Sequence, residues 1–549
     1  MAWSGSLATE RMRWWGWGDP LHPQGLPAHA LGFLSETVGI AARPSPPVAL
    51  EHVELEPSSI SSNALASLRE ILGVGHVRDD HSDRVLHAAG KGYPDLVRLR
   101  VGRPLGAPDA ILYPSTREQL RALLSLCARE SLAVVPFGGG TSVVGGVEPL
   151  RGSHRAVVAL DTGRLRSILE LDERSRMVTV QAGARARELE DWLGARGLTL
   201  GHFPQSFEYV SLGGCAATRS AGQASSGYGR FERMVHGLGM VAPAGEMELG
   251  AFPASAAGPG VRELAVGSEG TLGVIDELTL RVRRAPAARI YEGVFFESFE
   301  AGVHVFRELA QSRCTPEVAR LSDEQETRMS LALAGSGGAK GWLGRAYLDM
   351  RGYSRGCLAI FGFEGDVEEL GVRRAAATEI VRAAGGLRVG RSPGRAWLDS
   401  RFSAPYLRDE LLTQGVLVET LETATRWSNV EQLHRRVAGA IEGALGAQGT
   451  PALVMCHVSH LYETGASLYF TFIARQREGD EIEQWQAAKA AASSAIVEGG
   501  GTITHHHAVG RDHAPWMEQE IGSTGMSALR ALKSELDPSG IMNPGKLLP

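Results

Sequence analysis

The chain has 549 residues, a formal net charge of −6 and 43% hydrophobic residues, which fits a globular protein of two or three domains. No basic stretch offers a nucleic-acid surface, the mild acidity argues against broad electrostatic docking on anionic lipid, and no apolar run reaches the ~18 residues of a spanning helix. Five scattered cysteines without C-x-x-C spacing read as reduced thiols and point to a cytoplasmic chain. The N-terminus carries charges and tryptophans, and the C-terminus reads Lys546-Leu547-Leu548-Pro549, so neither a secretory nor a peroxisomal Ser-Lys-Leu signal is expected.

Residues 1–50, rich in Pro, Gly and Trp, read as an extended arm packed on the body, and a short helix follows around 63–73. Arg117–Glu130 is amphipathic and leads into the apolar run Leu132-Ala133-Val134-Val135. Ala156–Leu160 and Met177–Val180 are strand-like, and Arg185–Arg196 is helical, ending at Gly197. After the strand Leu278–Val282 the pattern changes. Ile290–Phe296, Val318–Leu321 and Leu358–Phe363 read as strands, with helices over Glu300–Ala310 and Val367 to about Ala384. Ala334–Ala339 reads as a mobile loop, Leu453–Val458 and Ser467–Ile473 as a hairpin, Glu481–Val497 as a helix, and 511–549 as a helical tail. This organisation divides the chain at 1–95, 96–285, 286–510 and 511–549.

Three small-residue loops stand beside strand-like runs. The first is Pro136-Phe137-Gly138-Gly139-Gly140-Thr141-Ser142; the second holds Gly213, Gly214, Thr218, Arg219, Ser220 and Ala221. The third is Gly267-Ser268-Glu269-Gly270-Thr271-Leu272-Gly273-Val274-Ile275. Glycines let successive backbone N–H groups converge on an anion, so three such loops imply a large phosphate-bearing cofactor. Downstream, His505-His506-His507 is either a polar loop or a site that moves protons near neutral pH. On an extended chain His505 and His507 share a face, but no carboxylate or cysteine stands at metal-ligand spacing, so no metal is expected. Tyr462, at a strand end, either packs on Tyr469 or Phe470 or projects into a cleft. Arg320 either pairs with Asp323 or Glu324 or serves the site, and Arg408 reads first as an exposed helical arginine.

The order of the loops resembles the FAD-binding domain of the vanillyl-alcohol-oxidase type, and within it the alkyldihydroxyacetonephosphate synthase family. The resemblance is carried by Trp14-Trp15-Gly16-Trp17-Gly18, the three loops, Cys314–Leu321, Ser459–Ala466 and His505–Gly510. It implies an α+β fold: a two-subdomain FAD-binding domain, an α+β cap and a helical C-terminal tail. It implies non-covalent FAD held by Pro136–Ser142, Gln205, Ser206, Ser211, Gly213, Gly214, Thr218–Ala221 and Glu269–Ile275. Gln205 departs from the family pattern, which has an acidic residue there. Tyr462 corresponds to the family's acid/base tyrosine, His505, His506 and His507 to its coupling partners, Arg320 to an essential arginine near the flavin, and Arg408 to a phosphate-gripping group.

The activity so implied belongs to ether-lipid biosynthesis. A long-chain fatty alcohol replaces the acyl group of acyl-dihydroxyacetone phosphate, with no net redox. The partners would be these lipid substrates, with peripheral membrane contact and a homodimer as family expectations. An FAD-dependent 2-hydroxy-acid dehydrogenase or oxidase is the alternative. Its metal-binding signatures are missing from Cys456–Gly465 and from His505–Gly510. A non-catalytic flavin protein is disfavoured because the cap keeps its reactive residues.

Overall fold

The computed structural model describes residues 12–18, 26, 28–40, 44–333 and 346–548. The loop expected at Ala334–Ala339 lies outside them. The first sheet holds β1 (Val77–Arg78), β2 (Ala110–Leu112), β3 (Leu132–Phe137) and β4 (Ala156–Asp161) in the order β1-β2-β4-β3, with the last three parallel. Thr116 caps the preceding helix Arg117–Glu130 by accepting from the Gln119 amide, and Ser131 ends it at φ 55°. Leu120, Leu123 and Leu124 of that helix share a core with Leu132 and Val134, each buried leucine contributing about 1.5–3 kcal/mol. Helix and strand therefore aim the end of β3 at the first glycine loop. Val134 also bridges Met542, so this sheet uses chain from both ends of the molecule.

The second sheet is antiparallel, with β5 (Ile168–Asp172), β6 (Met177–Gln181), β8 (Val235–Ala242), β9 (Gly245–Leu249) and β10 (Val274–Arg281) in the order β5-β6-β10-β8-β9. A ribbon of β7 (Leu198–Thr199) and β11 (Arg283–Arg284) accompanies it. The third sheet holds β12 (Ala288–Phe296), β13 (Val318–Ser322), β14 (Cys357–Gly365), β15 (Leu387–Gly390), β16 (Val416–Arg426), β17 (Leu453–Tyr462) and β18 (Gly465–Arg475). Its order is β15-β12-β14-β13-β17-β18-β16, antiparallel throughout. Helices Phe299–Gln311, Val430–Gly446 and Glu481–Glu498 bury one face around Phe306, Phe361 and Phe470. On the other face, Tyr291, Val318 and Ile360 join the core of the second sheet, and Val416, Val418 and Met455 pack beside helix Ala28–Thr37.

Between those two apolar patches runs a polar row. Glu422 on β16 faces Tyr469 on β18, which faces His457 on β17, which faces Ser322 on β13. Directly paired residues project from the same face, so four strands deliver these side chains side by side.

The α+β class and the flavin-type architecture stand as expected. Three local readings are corrected. Residues 28–37 form a helix where an extended arm was expected, although Met12, Arg13 and Trp17 are buried, with the Trp17 amide on Asp409, as an arm packed on the body requires. The helix expected to reach Arg196 ends at Gly194, with Gly197 at φ 69° in the turn beyond. Thr502-Ile503-Thr504, whose β-branched run reads as strand-like in the sequence, is loop. No described helix is long and apolar enough to cross a membrane.

Candidate active site

The three glycine loops meet because they lack side chains at the points of contact. A Cβ on Gly139 would stand 2.3 Å from the Tyr209 carbonyl oxygen, and one on Gly138 2.2 Å from Ser211 Oγ. A Cβ on Gly270 would stand 2.8 Å from Pro136 Cγ, and one on Gly213 2.8 Å from Ala182 Cβ. Gly140 adopts φ 64°, a region open to glycine without strain. Ser211 caps the short helix Leu212–Ala217 by accepting from Gly214, and the Gly267 and Glu269 amides donate to the Ala216 and Ala217 carbonyls.

The cradle fits FAD. The amides of Gly138 through Ser142 donate no hydrogen bond among the described residues, and buried Ser268 Oγ and Asn543 Oδ1 have no partner. Backbone donors held open by a tight loop are what a pyrophosphate accepts from.

Other expected cofactor residues have different duties. Glu269 turns its carboxylate onto the Val509 and Gly510 amides at 2.8 and 2.7 Å, tying the third loop to the histidine segment. Burial raises its pKa to about 7. Arg219 spends its guanidinium on the Val266 and Glu263 carbonyls, and Thr218 Oγ1 donates to the Gly214 carbonyl. Gln205 donates to the Arg401 carbonyl at 2.7 Å and accepts from Gln223, so its amide bridges to the third-sheet region. Ser206 offers its carbonyl to the Tyr209 and Val210 amides, and Ser220 Oγ lies 3.2 Å from His202 Nε2. Ala221, Leu272, Val274 and Ile275 are buried.

A cleft of about 410 Å³ opens between these loops and the third sheet, lined by Arg219, Arg230, Glu269, Tyr462, His505 and His506 among others. Tyr462 ends β17 as the sequence implies, and its oxygen lies 2.5 Å from His505 Nε2. Burial raises the phenol's pKa, opposed by the Arg230 cation. Burial, reinforced by His460 and His506, holds His505 well below its ordinary value, and burial pushes His506 down to about 3. Tyr462 Oη and His505 Nε2 share one hydrogen bond, and His505 Nδ1 and His506 Nδ1 a second at 2.9 Å, the tautomer of each ring setting which atom donates. The result is a continuous hydrogen-bonded chain from the phenol through two rings.

The histidine segment is not extended as expected. Its three amides, from His505, His506 and His507, all donate to the carboxylate of Glu422, which also accepts from Thr504 Oγ1 at 2.9 Å. Burial alone would raise the pKa of Glu422, but the His506 and His507 rings and the converging amides outweigh it and hold it down to about 2. Tyr469, Glu422's neighbour in the polar row, stacks on His506 with ring centres 5.9 Å apart. Tyr462 therefore meets His505 rather than packing on Tyr469.

His460 arrives through a bulge: β17 slips by one residue against β18 between Val458 and Leu461. Its Nε2 donates to the Gly222 carbonyl at 3.1 Å, and its ring centre lies 4.9 Å from that of His505. His460, His505 and His506, and also Glu422, His506 and His507, bring ligand atoms within 4.8 Å of one another. The absence of a nearby carboxylate, read from spacing alone, is thus corrected by Glu422, although that carboxylate is already engaged by four donors.

Neither expected arginine lines the cleft. Arg320 pairs with Glu326 at 2.7 Å, not with Asp323 or Glu324, because helix Glu324–Leu333 turns Glu326 back over β13. Glu326 also meets His457 Nδ1 at 3.0 Å, which places Arg320 one ion pair from the polar row. Arg408 is buried, not exposed: Nη1 donates to the Lys91 carbonyl at 3.1 Å, and Nη2 lies 3.4 Å from Glu419 Oε1 and from Thr420 Oγ1. Glu422, Arg230 and His460 were not singled out from the sequence. His460 lay in a quoted motif, whereas Glu422 and Arg230 carry no local signal.

Comparison with known proteins agrees with this geometry. Residues 108–249 match a family model described as FAD binding domain, and residues 285–547 one described as FAD linked oxidases, C-terminal domain. The chain is 32% identical to the alkyldihydroxyacetonephosphate synthase of Dictyostelium discoideum, over 98% of this chain and 94% of that protein. It is 31% identical to the Trypanosoma brucei brucei synthase, over 99% and 93%. A solved alkyldihydroxyacetonephosphate synthase structure superposes with a TM-score of 0.84 at 29% identity, covering 98% of this chain and 100% of that one. Identity at this level along nearly the whole length, with the cradle its glycine loops build, means that the chain belongs to the alkyldihydroxyacetonephosphate synthase family and that FAD is its cofactor.

Proposed function

We propose that the chain makes the ether bond of ether lipids by exchange. The C1 acyl–oxygen group of acyl-dihydroxyacetone phosphate leaves as a fatty acid, and the oxygen of a long-chain fatty alcohol takes its place on that carbon. The products are alkyl-dihydroxyacetone phosphate and a fatty acid, and no electrons are gained or lost overall. The observation that carries this reading is the 2.5 Å contact of Tyr462 with His505, inside a cleft whose other wall is the second and third glycine loops.

When bound, FAD supplies an electron sink beside the reacting carbon. The remaining work falls to the protein. Tyr462 and His505 hold the proton exchanged at C1, and His506 extends the path so that charge need not remain on one buried ring. Arg230 favours the phenolate form of Tyr462 and so offsets part of its burial. Arg320, held by Glu326, lends positive potential to the polar row. Arg408, buried with long and incomplete contacts, is a reserve of donors for the substrate phosphate. Non-covalent retention of FAD, peripheral membrane contact and a homodimer belong to the same reading. Flavin release on acid precipitation, vesicle co-sedimentation and light scattering test them in turn.

The deciding experiment incubates the yellow protein with palmitoyl-dihydroxyacetone phosphate and labelled hexadecanol, without an electron acceptor. Labelled ether and free palmitate are expected, and both should form about 10²–10⁴-fold more slowly in Tyr462→Phe. Flavin bleaching by a 2-hydroxy acid, with no ether formed, would instead favour a dehydrogenase.

A further inference from the structure

Strand β16, at the edge of the third sheet, bears on both members of the Tyr462–His505 pair. Its Glu422 gathers the three amides of the histidine segment. Just upstream, Thr423 Oγ1 donates to the Thr502 carbonyl at 2.6 Å and Thr425 Oγ1 to the Gly500 carbonyl at 2.9 Å. The Thr502 amide donates back to the Ala424 carbonyl at 3.1 Å. His505 therefore stands in a segment laced along β16.

Tyr462 depends on the residue that follows that strand. Beyond the slip between Val458 and Leu461, β17 keeps only Leu461 opposite Ala466 and Tyr462 opposite Gly465 before the turn at Glu463-Thr464. Strand ends beside a turn open most readily. Ser226 Oγ accepts from the Leu461 amide at 3.1 Å, and Gln311 Nε2 donates to the Glu463 carbonyl at 3.2 Å, so the neighbours of Tyr462 have their own anchors. The carbonyl of Tyr462 itself is held by Trp427. The indole Nε1–H is shared between the Tyr462 and Glu463 carbonyls at 3.0 and 3.2 Å, and the Trp427 amide donates to the Thr464 carbonyl at 3.2 Å. One residue thus holds three successive carbonyls, as Glu422 holds three successive amides. The bend that carries Trp427 is fixed in turn. Asn429 Nδ2 donates to Thr425 Oγ1 and to the Gly499 carbonyl, and the helix Val430–Gly446 buries Val430 and Leu433 in the third-sheet core. The indole is half-buried against that core, but packing there needs a ring and not an N–H.

We propose that Trp427 is a positioning residue for Tyr462: its indole N–H fixes the strand end so that the phenol meets His505 squarely. This inference rests on the exchange reading, in which Tyr462 holds the C1 proton, and deepens it by naming what sets the phenol in place. Glu422 and Trp427 stand five residues apart on one stretch of chain. The separation of Tyr462 from His505 is therefore set by β16, a frame outside the pair. A displacement of about 1 Å is enough to cost a positioned group about 10²-fold in rate.

The test uses the FAD-loaded full chain carrying Trp427→Phe, and a second form with benzothienylalanine placed at position 427 alone. Benzothienylalanine keeps the shape of the indole and puts sulfur where the N–H was; an azatryptophan that keeps the N–H serves as the rescue. With palmitoyl-dihydroxyacetone phosphate and hexadecanol, kcat should fall about 10- to 100-fold in both forms lacking the donor, with KM within about twofold of the wild type. Flavin content and melting temperature should stay near those of the wild type, and the azatryptophan should restore kcat. A merely structural indole would lower the melting temperature in Trp427→Phe and leave kcat of the benzothienyl form unchanged. Fluorotyrosine placed at position 462 gives a readout independent of turnover. Its fluorine resonance should be single and sharp with the N–H present, and shifted and broadened in Trp427→Phe. The benzothienyl form supplies the reading if Trp427→Phe folds poorly. The proposal is overturned if folded protein lacking the indole N–H keeps kcat within about twofold of the wild type, loses its flavin, or leaves the fluorine resonance unchanged. A wild type that forms no ether would sink the exchange reading, and the fluorine resonance would still decide whether Trp427 places Tyr462.

Discussion

The floor of the cleft and its roof are built on opposite principles. The floor is backbone and empty space: Gly138, Gly139 and Gly270 press against neighbouring chain, and the amides of the first loop stay free for a ligand. The roof is made of titratable side chains stripped of water, in which Tyr462, His505, His506 and Glu422 set one another's charge. Steric change should therefore act on the floor as lost cofactor. Chemical change should act on the roof as lost rate or altered pH response, with the cofactor still in place.

The largest effect separating the two is expected at Gly139. Gly139→Ala puts a carbon 2.3 Å from the Tyr209 carbonyl oxygen, a backbone atom that cannot swing aside. The purified variant should be colourless, with flavin content near zero by absorbance; a yellow but inactive protein would erase the distinction. Tyr462→Phe is the matching test above. It should stay yellow with an unchanged melting temperature while turnover falls about 10²–10⁴-fold, the usual value of a positioned acid–base group. Loss of flavin in that variant would mean that the roof also holds the cofactor.

Glu422→Gln comes next. An amide can accept from some of the three converging N–H groups but presents its own N–H₂ to the rest, so the segment loosens. Stability should fall by about 2–4 kcal/mol in denaturant titration, and turnover should fall with it because His505 no longer meets Tyr462 squarely. Unchanged turnover would show that the segment holds its shape without the carboxylate.

The last effect is a pH dependence confined to the roof and its surroundings. His202, His460, His506 and His513 are each pushed down by burial to about 3, from an ordinary 6.5. The unfolded chain takes up these protons first as pH falls. The stability they contribute is complete above about pH 6.5 and is lost progressively toward pH 3. Unfolding followed by tyrosine and flavin signals should steepen over that window, and replacing His513 with Gln should shallow it. A flat profile from pH 6.5 to 4 would show that the rings are hydrated enough to titrate normally.

The floor was largely legible. Glycine clusters after a strand such as Leu132–Phe137 are a local statement about φ and close approach, and a local statement survives in sequence. Even there, the side chains of Glu269 and Arg219 carry a second duty, on the histidine segment and on nearby carbonyls, that their loop positions do not announce. β16 went unread because its buried positions include Glu419, Glu422 and Thr423, which break the alternation by which a strand is recognised. The same polarity that hid the strand is what the site needed from it.

The sequence by itself determined the class of fold, the glycine loops, the position of Tyr462 at a strand end and the family to which these belong. All of these rest on residues adjacent in the chain, whose conformational preferences and order are local. Only the tertiary structure decided that Glu422 would gather the histidine amides, that Arg320 would answer to Glu326, and that Arg408 would be buried against Glu419 and the Lys91 carbonyl. Those pairings join strands and helices far apart in sequence. Their strength comes from the exclusion of water, a property of the packed assembly rather than of any short segment.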